Sequence, residues 1–402
     1  MTGIGAVKRK FMLHIMLLYV SLRGRHNYLN CVRYNDDYSE QSLRLNFAKG
    51  FDFATFNSLL VDTYASRSLC WVFDPSYIAK SGKHTPGVGY FWSGCAGKVK
   101  WGLELCGLAL SDRENHTAFH HHAVLTPNLK SGDEEIKLLD FYASIFIKDA
   151  ETIARYQKKS KYVAADAFFS KLNFVAPLCV AGYHVTSRMR SDAYLRYRYQ
   201  GPPPPAGTRG RKKEYDGKID TRKVSEDHFT KIAETTDEKD GKTERVFEGE
   251  AHIRSLERWC KVVIVQYLDA TGKITRAYIY FCTDVNRPGI DVLEEYRLRF
   301  QIEFLYRDSK QFLGLTHSQS RNENALDFHL NLSLTMINVA KVDHWLHYPK
   351  DSRPPFSMAD VKTLYFNELI LNKLILIYGK DPNTERNNPL IAQLYKIGTI
   401  AA

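Results

Sequence analysis

The feature that most limits the fold of this chain is the order of strand-like and helix-like segments after residue 65. Three short apolar runs typical of buried strands come first, and two more then alternate with stretches of helical periodicity. This order of three strands, a helix, a strand, a helix and a strand predicts a mixed α/β sheet covered by helices. The expected strands are 69–73, 101–110, 117–125, 162–165 and 183–189, and the expected helices are 138–159 and 170–181.

Two of these strand-like runs are followed directly by an aspartate. Asp74 follows Phe73 and precedes Pro75, which is expected to end the strand, and Asp166 follows the run 162–165. Open sheets place their chemistry at strand ends, so both carboxylates are candidate site residues. Each also has a structural interpretation, because an aspartate before proline initiates turns and an aspartate before a helix caps it.

A third acidic residue lies on the polar face of a helix expected over 291–310. The polar side chains on this face follow one another at offsets of 3, 4 and 7 residues, the steps that return to one side of a helix. They are Tyr296, Arg299, Glu303 and Lys310, and Arg307 joins the same face. A neighbouring apolar stripe, expected to bury against a core, consists of Leu298, Ile302, Leu305 and Phe312. The alternative is a solvated face of ion pairs that stabilise the helix by about 0.2–0.5 kcal/mol each.

The pattern Y-x2-R-x3-E-x6-K on this face resembles the signature of a large family of bacterial insertion-sequence transposases. That family belongs to the DDE group, named for two aspartates and a glutamate that bind catalytic metal. The blocks 74–83, 165–171, 187–193 and 311–315 also resemble blocks of the family, so the similarity covers most of 69–345. The resemblance implies that the catalytic residues and metal ligands are Asp74, Asp166 and Glu303.

The order of segments matches a ribonuclease H-like catalytic core, and the resemblance implies that an inserted β domain interrupts this core. The 137 positions from Asp166 to Glu303 are too many for a plain core, and 262–267 and 276–282 have the pattern of further strands. Helical N- and C-terminal regions complete the expected α/β architecture. The predicted domains are 1–62 (helical, DNA-binding), 63–191 (first part of the core), 192–284 (inserted, β-rich), 285–345 (signature helix and the next helix) and 346–402 (C-terminal, helical).

The net charge of +11 and the pI near 9.1 favour a polyanionic partner. Together with the resemblance, they predict that a homodimer binds double-stranded DNA, both the element ends and the target, in the bacterial cytoplasm. Three carboxylates suit two Mg²⁺ or Mn²⁺ ions, because these hard cations prefer oxygen ligands. The residues expected to contact DNA are Tyr296, Arg299, Arg307, Lys310, Arg188, Arg190, Arg211 and Lys212.

The start of the expected insertion is unusually polar. Residues 201–205 form a stiff proline-rich spacer, a basic run follows at 209–213, and 221–250 is almost wholly polar. The composition is compatible with a solvated loop and with a segment that follows DNA phosphates.

The remaining features favour a cytoplasmic protein without a membrane segment. Seven scattered cysteines without a C-x-x-C pair argue against a disulfide framework and a zinc module. The apolar run 11–22 has basic residues on both sides and is shorter than the roughly 20 residues that span a bilayer, so it is expected to be a soluble helix. His120, His121 and His122 lie in a strand-like run whose neighbours point to opposite faces, so no shared metal is expected.

Two other functions remain open. A related DDE nuclease would share the three acids and the metals but would cut DNA without joining it. A decayed remnant of an element would bind DNA without cleaving it. Strand-transfer products distinguish the first from a transposase, and a metal-dependent nicking assay distinguishes the second from both enzymes.

Overall fold

The computed structural model of the protein describes residues 4–128, 137–203, 210–386 and 388–400. Its α-helices are α1 (Ala6–Ser21), α2 (Tyr28–Arg33), α3 (Glu40–Ala48), α4 (Phe53–Tyr64), α5 (Leu138–Ile147), α6 (Ala150–Lys159), α7 (Leu172–Val180), α8 (Gly289–Leu298), α9 (Gln301–Phe312), α10 (Glu323–His347), α11 (Met358–Ile377), α12 (Pro382–Glu385) and α13 (Pro389–Tyr395). Its strands are β1 (Leu69–Ala79), β2 (Gly89–Ser93), β3 (Lys98–Asp112), β4 (Thr117–Leu125), β5 (Tyr162–Ala165), β6 (His184–Met189), β7 (Leu195–Arg198), β8 (Tyr215–Lys218), β9 (Phe229–Thr236), β10 (Thr243–Ile253), β11 (Arg258–Leu268) and β12 (Ile274–Cys282).

The sheet is mixed, as the segment order predicts. In its first half the strands lie in the order β4-β3-β1-β5-β6. The pairs β4–β3 and β3–β1 are antiparallel, whereas β1–β5 and β5–β6 are parallel. The prediction of a mixed α/β protein with helices around a mixed sheet is therefore confirmed.

The second half of the sheet continues from β6 without interruption. β12 pairs with β6, and β11 and β10 follow in antiparallel order. β7 and β9 both pair with β10, and β8 pairs with β7. The two strands expected at 262–267 and 276–282 lie within β11 and β12. Residues 204–209, which include half of the proline run and the first arginine of the basic run, are outside the described residues.

The expectation that Pro75 ends the first strand is wrong. β1 continues to Ala79 and keeps its antiparallel register with β3, with Pro75 opposite Cys106. The parallel pairing of β1 with β5 ends at Phe73. One edge of β1 is therefore open from Asp74 onward, and a residue without an N–H group is tolerated at an open edge.

The sheet is buried on both faces because alternate residues of its central strands point in opposite directions. In β1, Cys70 and Val72 belong to a hydrophobic cluster with residues of α1, α3, α9 and α10. Trp71 and Phe73 belong to a second cluster with residues of α5 and α7. Alternate residues of a strand point to the same face, so Asp74 lies on the same face as Cys70 and Val72, the face that α9 covers.

The regions predicted to be helical are helical, although two of the expected helices are divided. The N-terminal region contains α1 to α4, and α1 includes most of the apolar run 11–22. The helix expected over 138–159 is split into α5 and α6, where Asp149 begins α6 by accepting a hydrogen bond from the Thr152 amide (2.7 Å). The described part of the chain has no helix long and apolar enough to cross a membrane. All seven cysteines are free.

The expectation that the three adjacent histidines alternate between faces is also wrong. Leu108 of β3 pairs with His122 and Ala109 pairs with His120, so His121 is the extra residue of a β-bulge. The bulge brings the Nδ1 atoms of His121 and His122 to 2.8 Å from each other. His121 also contacts Ser58 of α4 through Nε2 (3.0 Å), which ties the N-terminal helices to β4.

Candidate active site

The parallel register of β1 and β5 brings the two predicted aspartates together. Val72 is paired with Ala164 and Phe73 with Ala165. The residues directly after these pairs are Asp74 and Asp166, which therefore lie near each other where the parallel pairing ends. The sequence places them 92 positions apart, and only the strand pairing makes them neighbours.

The helix expected over 291–310 is divided into α8 and α9 at Arg299 and Phe300. At this junction the backbone hydrogen bonds tighten to the i→i−3 type, as in the bonds from the Phe300 amide to Arg297 and from the Glu303 amide to Phe300. The prediction of one continuous helix is therefore wrong. The apolar stripe survives the break, since Leu298, Ile302 and Leu305 are buried and Phe312 is partly buried.

The two helices cover different parts of the sheet. α8 packs against β6, β11 and β12, whereas α9 packs against β1, β3 and β4. The junction between them lies beside the strands that carry Asp74 and Asp166. Glu303, in the first turn of α9, is thereby placed on the same side of the sheet as the two aspartates.

Arg299 lies among the three predicted carboxylates. Its Nη2 atom is 3.3 Å from Glu303 Oε1 and 3.9 Å from Asp166 Oδ1. The arginine side chain is only 11% exposed, whereas the carboxylates of Asp166 and Glu303 are 43% and 40% exposed. The guanidinium therefore acts as an internal counterion, and the two acids remain open to solvent.

Tyr296 completes this cluster on the side of Asp166. The Tyr296 hydroxyl donates a hydrogen bond to Asp166 Oδ1 (3.4 Å), and its ring packs edge-on against Tyr280 of β12. Asp166 makes no capping hydrogen bond with its side chain, so the alternative role of a helix cap does not apply. Its main-chain oxygen accepts a hydrogen bond from the Ser187 hydroxyl (3.0 Å), which fixes this part of the backbone.

Asp74, unlike Asp166 and Glu303, is largely buried, and its pKa is changed by this burial. Burial raises the pKa of Asp74 to about 7, and Glu303 and Asp166 add to this effect, while Arg299 opposes it. Burial acts to lower the pKa of Arg299, but the neighbouring Asp74 and Asp166 carboxylates outweigh it and the pKa is raised. Three carboxylates with a single guanidinium leave an excess of negative charge that a cation would neutralise.

Tyr306 is a site residue that the sequence analysis missed. Its buried hydroxyl lies 2.6 Å from the main-chain oxygen of Asp74 and 3.1 Å from that of Leu105. Gly107, the residue opposite Asp74 in β3, leaves room for this hydroxyl, because a Cβ atom at that position would overlap it. The sequence does place Tyr306 one helical turn after Glu303. It does not reveal the partners of Tyr306, because these are main-chain atoms.

Lys310 and Arg307 lie apart from the carboxylates. Lys310 Nζ donates hydrogen bonds to the Ser76 hydroxyl (2.8 Å) and to the main-chain oxygen of Tyr77 (3.1 Å), and burial lowers its pKa. Arg307 is exposed and paired with Asp308 (2.8 Å). The structure thus does not place Arg307 with Arg299 and Glu303, although all three are on the same predicted helical face.

The other arginines and lysines expected to contact DNA lie in and after β6 and before β8. Arg188 lies over the ring of Tyr278, and Arg190 is exposed and paired with Asp192 (3.0 Å). Arg211 is exposed and paired with Glu214 (3.3 Å), and Lys212 is exposed beside it. These residues are available to a polyanion, but they do not form one group with the carboxylates.

The donor chemistry fits a hard divalent cation. Asp74, Asp166 and Glu303 offer only carboxylate oxygens, which Mg²⁺ and Mn²⁺ prefer. Within the described ranges, no three His, Cys, Asp or Glu side chains are arranged to hold a metal ion as they stand. In this structure the Arg299 guanidinium lies against Glu303 and Asp166.

A sequence-family model described as a transposase DDE domain matches residues 145–339, slightly less than half of the chain. The matched range contains Asp166, Arg299 and Glu303, while Asp74 precedes it. No curated protein matches the chain. The family match, together with the mixed sheet and the paired strands that carry the acids, supports the assignment of this chain to a DDE transposase family.

Proposed function

We propose that this protein is the transposase of an insertion sequence, which binds the terminal inverted repeats of its own element and performs metal-dependent strand cleavage and strand transfer. The observation that carries the proposal is the convergence of Asp74, Asp166 and Glu303 around Arg299. Segments far apart in sequence contribute these acids to one cluster, in which Asp166 and Glu303 are open to solvent and Asp74 is largely buried.

The strand order supports a ribonuclease H-like core for this chemistry. Three antiparallel strands, β4, β3 and β1, are followed by the parallel pair β5 and β6, as the segment order predicts. We interpret β7 to β12 as the inserted β domain and residues 1–62 as the region that recognises the element ends. The C-terminal region 346–402 would then support a dimer on DNA.

The three carboxylates would hold the divalent ions. When bound, divalent ions would supply activation of an attacking oxygen and stabilisation of the leaving oxygen in a displacement at phosphorus. Attack by water would break the bond between phosphorus and the 3′ oxygen, leaving a free 3′-hydroxyl and a 5′-phosphate. Attack by that 3′-hydroxyl on target DNA would form the new phosphodiester and release a target 3′-hydroxyl.

The other residues of the cluster have roles that follow from their contacts. Arg299 lies beside Glu303 and Asp166 and would offset part of the negative charge of the cluster before DNA arrives, and its guanidinium suits bidentate binding of a phosphate when DNA is present. Tyr296 holds Asp166 through its hydroxyl. Lys310 fixes the extension of β1 beyond Asp74 through Ser76 and Tyr77.

The test uses the DNA that flanks the gene of this chain on both sides as substrate, with a target plasmid, in Mg²⁺ or in EDTA. We expect 3′-hydroxyl ends joined to the plasmid only in Mg²⁺. Glu303→Gln keeps the size of the side chain but weakens its metal binding, so it should retain DNA binding and lose cleavage. Glu151→Gln, an exposed residue in the first turn of α6, is the matched control and should behave as the wild type.

Each result separates the possible functions. Cleavage without joined products would indicate a DDE nuclease, and DNA binding without cleavage would indicate a decayed element. Cleavage retained by Glu303→Gln would remove this residue from the metal site and contradict the proposed mechanism.

A further inference from the structure

A second cleft, separate from the carboxylate cluster, is lined almost entirely by basic and small polar side chains. Its volume is about 560 Å³, and it is formed by the loop that follows β1, the loop that follows α9 and the connection between α1 and α2. The ionisable residues that line it are Arg25, Lys80, Lys83, His84, His317 and Arg321. Among the described residues, no acidic side chain lines the cleft.

The positive charge of the cleft is not neutralised from outside. Arg25, Lys83 and Arg321 are exposed, and none of them is ion-paired with an acid in the described part of the chain. Surface arginines and lysines elsewhere in the protein commonly have such partners, as Arg190 and Arg211 do. Three unpaired cations around one concave surface create a local positive potential that attracts an anion.

The floor of the cleft is held in place by hydrogen bonds. Lys80 Nζ donates to the main-chain oxygens of Thr316 (3.2 Å) and Ser318 (2.6 Å), which joins the two loops. His317 Nδ1 accepts a hydrogen bond from the His26 amide (3.1 Å), so the neutral imidazole carries its proton on Nε2. The cleft therefore presents a fixed ammonium group and an N–H donor in addition to its mobile cations.

The position of the cleft relative to the carboxylates is set by β1. Lys80 directly follows Ala79, the last residue of the strand, and Asp74 lies five residues before Ala79. A strand advances about 3.3 Å per residue, so Ala79, at the near edge of the cleft, lies at most about 17 Å from Asp74 along β1. A DNA strand advances about 3.4 Å per nucleotide along the duplex axis, so this distance corresponds to about five base pairs.

We propose that this cleft binds the phosphodiester backbone of DNA about five base pairs from the bond held at the carboxylate cluster. The inference rests on the proposed function for the identity of the substrate, and it adds a second contact surface that none of the predicted DNA-binding residues includes. A phosphate in the cleft would lie against Lys83 and Arg321, with Lys80 and His317 beneath it. This second contact would fix the direction in which the duplex leaves the active site.

The test measures how tightly the full chain binds a fluorescein-labelled DNA duplex of about 30 base pairs, in EDTA, between about 50 and 200 mM salt. In a plot of log Kobs against log salt, each phosphate contact contributes about −0.9 to the slope. Lys83→Gln combined with Arg321→Gln should reduce the magnitude of this slope by about 2 and weaken binding at low salt. Both side chains are exposed, so the fold should be unaffected.

The matched control is Lys158→Gln combined with Lys161→Gln. The two substitutions remove the same number of positive charges from exposed lysines. Both lysines precede β5, whereas Asp166 follows it, so they lie at the other end of that strand. The control should keep the slope of the wild type. An equal change in the two double variants would show that only the net charge matters and would overturn the inference.

Three further outcomes are distinguishable. An unchanged slope in Lys83→Gln/Arg321→Gln, with cleavage intact, would refute the cleft while leaving the proposed function in place. A reduced slope in a protein that does not cleave DNA would support the cleft and refute the proposed function. Calorimetric binding of inorganic phosphate that depends on Lys83 and Arg321, without a change of slope, would overturn the inference in favour of a small free anion.

Discussion

The Tyr306 hydroxyl of α9 lies 2.6 Å from the main-chain oxygen of Asp74 in β1, so the helix that carries Glu303 is bonded to the strand that carries the first aspartate. The bond fixes the distance of α9 from β1 at the point where the proposed active site lies. Gly107 makes this approach possible, since it faces Asp74 across the β1–β3 pair without a side chain. The geometry of the site thus depends on two residues that have no chemical role in it.

Tyr306→Phe should weaken the attachment of α9 to β1 without removing any of the three carboxylates. The substitution removes the hydroxyl and leaves the carbonyl of Asp74 with one hydrogen bond fewer, which costs about 1–3 kcal/mol in the free energy of unfolding. DNA cleavage should fall while DNA binding is unchanged, because no predicted DNA contact is removed. Urea titration and the cleavage assay provide the two measurements. Tyr183→Phe is the control, since its buried hydroxyl contacts carbonyls at the longer distances of 3.4 and 3.5 Å in the other hydrophobic cluster.

Gly107→Ala should disturb the same contact from the opposite strand. The added methyl group overlaps the Tyr306 hydroxyl and lies only 2.9 Å from Tyr306 Cζ, so we expect a loss of about 1–3 kcal/mol in unfolding free energy. In the Tyr306→Phe background the cost should be smaller, because the nearest clashing atom is absent. A double-mutant cycle by urea titration measures this coupling, and additive effects would contradict a direct contact between the two positions.

Arg299→Met should make the protein more dependent on divalent cations. Without the guanidinium, three carboxylates repel one another, and the lost hydrogen bonds to charged groups cost about 1.5–3 kcal/mol in EDTA. A divalent ion would then replace the missing counterion, so Mg²⁺ should raise the melting temperature of the variant more than that of the wild type. Thermal melts in EDTA and in Mg²⁺ test this expectation. Equal shifts in the two proteins would show that the ion binds elsewhere.

The contribution of Asp74 to the stability of the metal-free protein should fall as the pH rises from about 4 to about 7, because Asp74 keeps its proton in the folded state after the unfolded chain has released it. Its folded pKa is raised to about 7 from an ordinary value of 3.8. The slope attributable to this group is at most about 1.4 kcal/mol per pH unit, and it vanishes above the folded pKa. Asp74→Asn removes the titration, so the difference in unfolding free energy between variant and wild type should change over this range.

The measurement is urea titration in EDTA at several pH values. Asp192→Asn, at an exposed aspartate paired with Arg190, serves as the control for a general effect of removing a carboxylate. A difference between Asp74→Asn and the wild type that is independent of pH would contradict the raised pKa.

Much of the first half of the fold could be predicted from the sequence because it depends on local patterns. Apolar runs identified the strands that carry or adjoin the candidate carboxylates. Asp74 and Asp166 were candidates because each directly follows such a run. The extension of β1 through Pro75 could not be predicted, since it depends on the edge that β5 leaves open. The bulge at His121 likewise depends on the register with β3.

The sequence pattern identified the three candidate acids but not the arrangement of the side chains around them. The spacing of Arg299 and Glu303 identified a shared helical face, and the two residues are in contact. The same spacing grouped Arg307 with them, but the change to i→i−3 bonding around Phe300 alters the rotation of the following turn. The role of Arg299 as an internal counterion follows from the close approach of the strands, which a helical pattern alone does not encode.

The unbroken hydrogen bonding from β6 to β12 has a mechanical consequence. β12 is paired directly with β6, the neighbour of the strand that ends at Asp166, so the strands beyond it form a rigid extension of the catalytic sheet. Any rotation of β8 to β11 would require hydrogen bonds between β6 and β12 to break. Under the proposed function, DNA bound at the far edge of the sheet would lie at a fixed distance and angle from the carboxylates, and the sheet would set which phosphate reaches them.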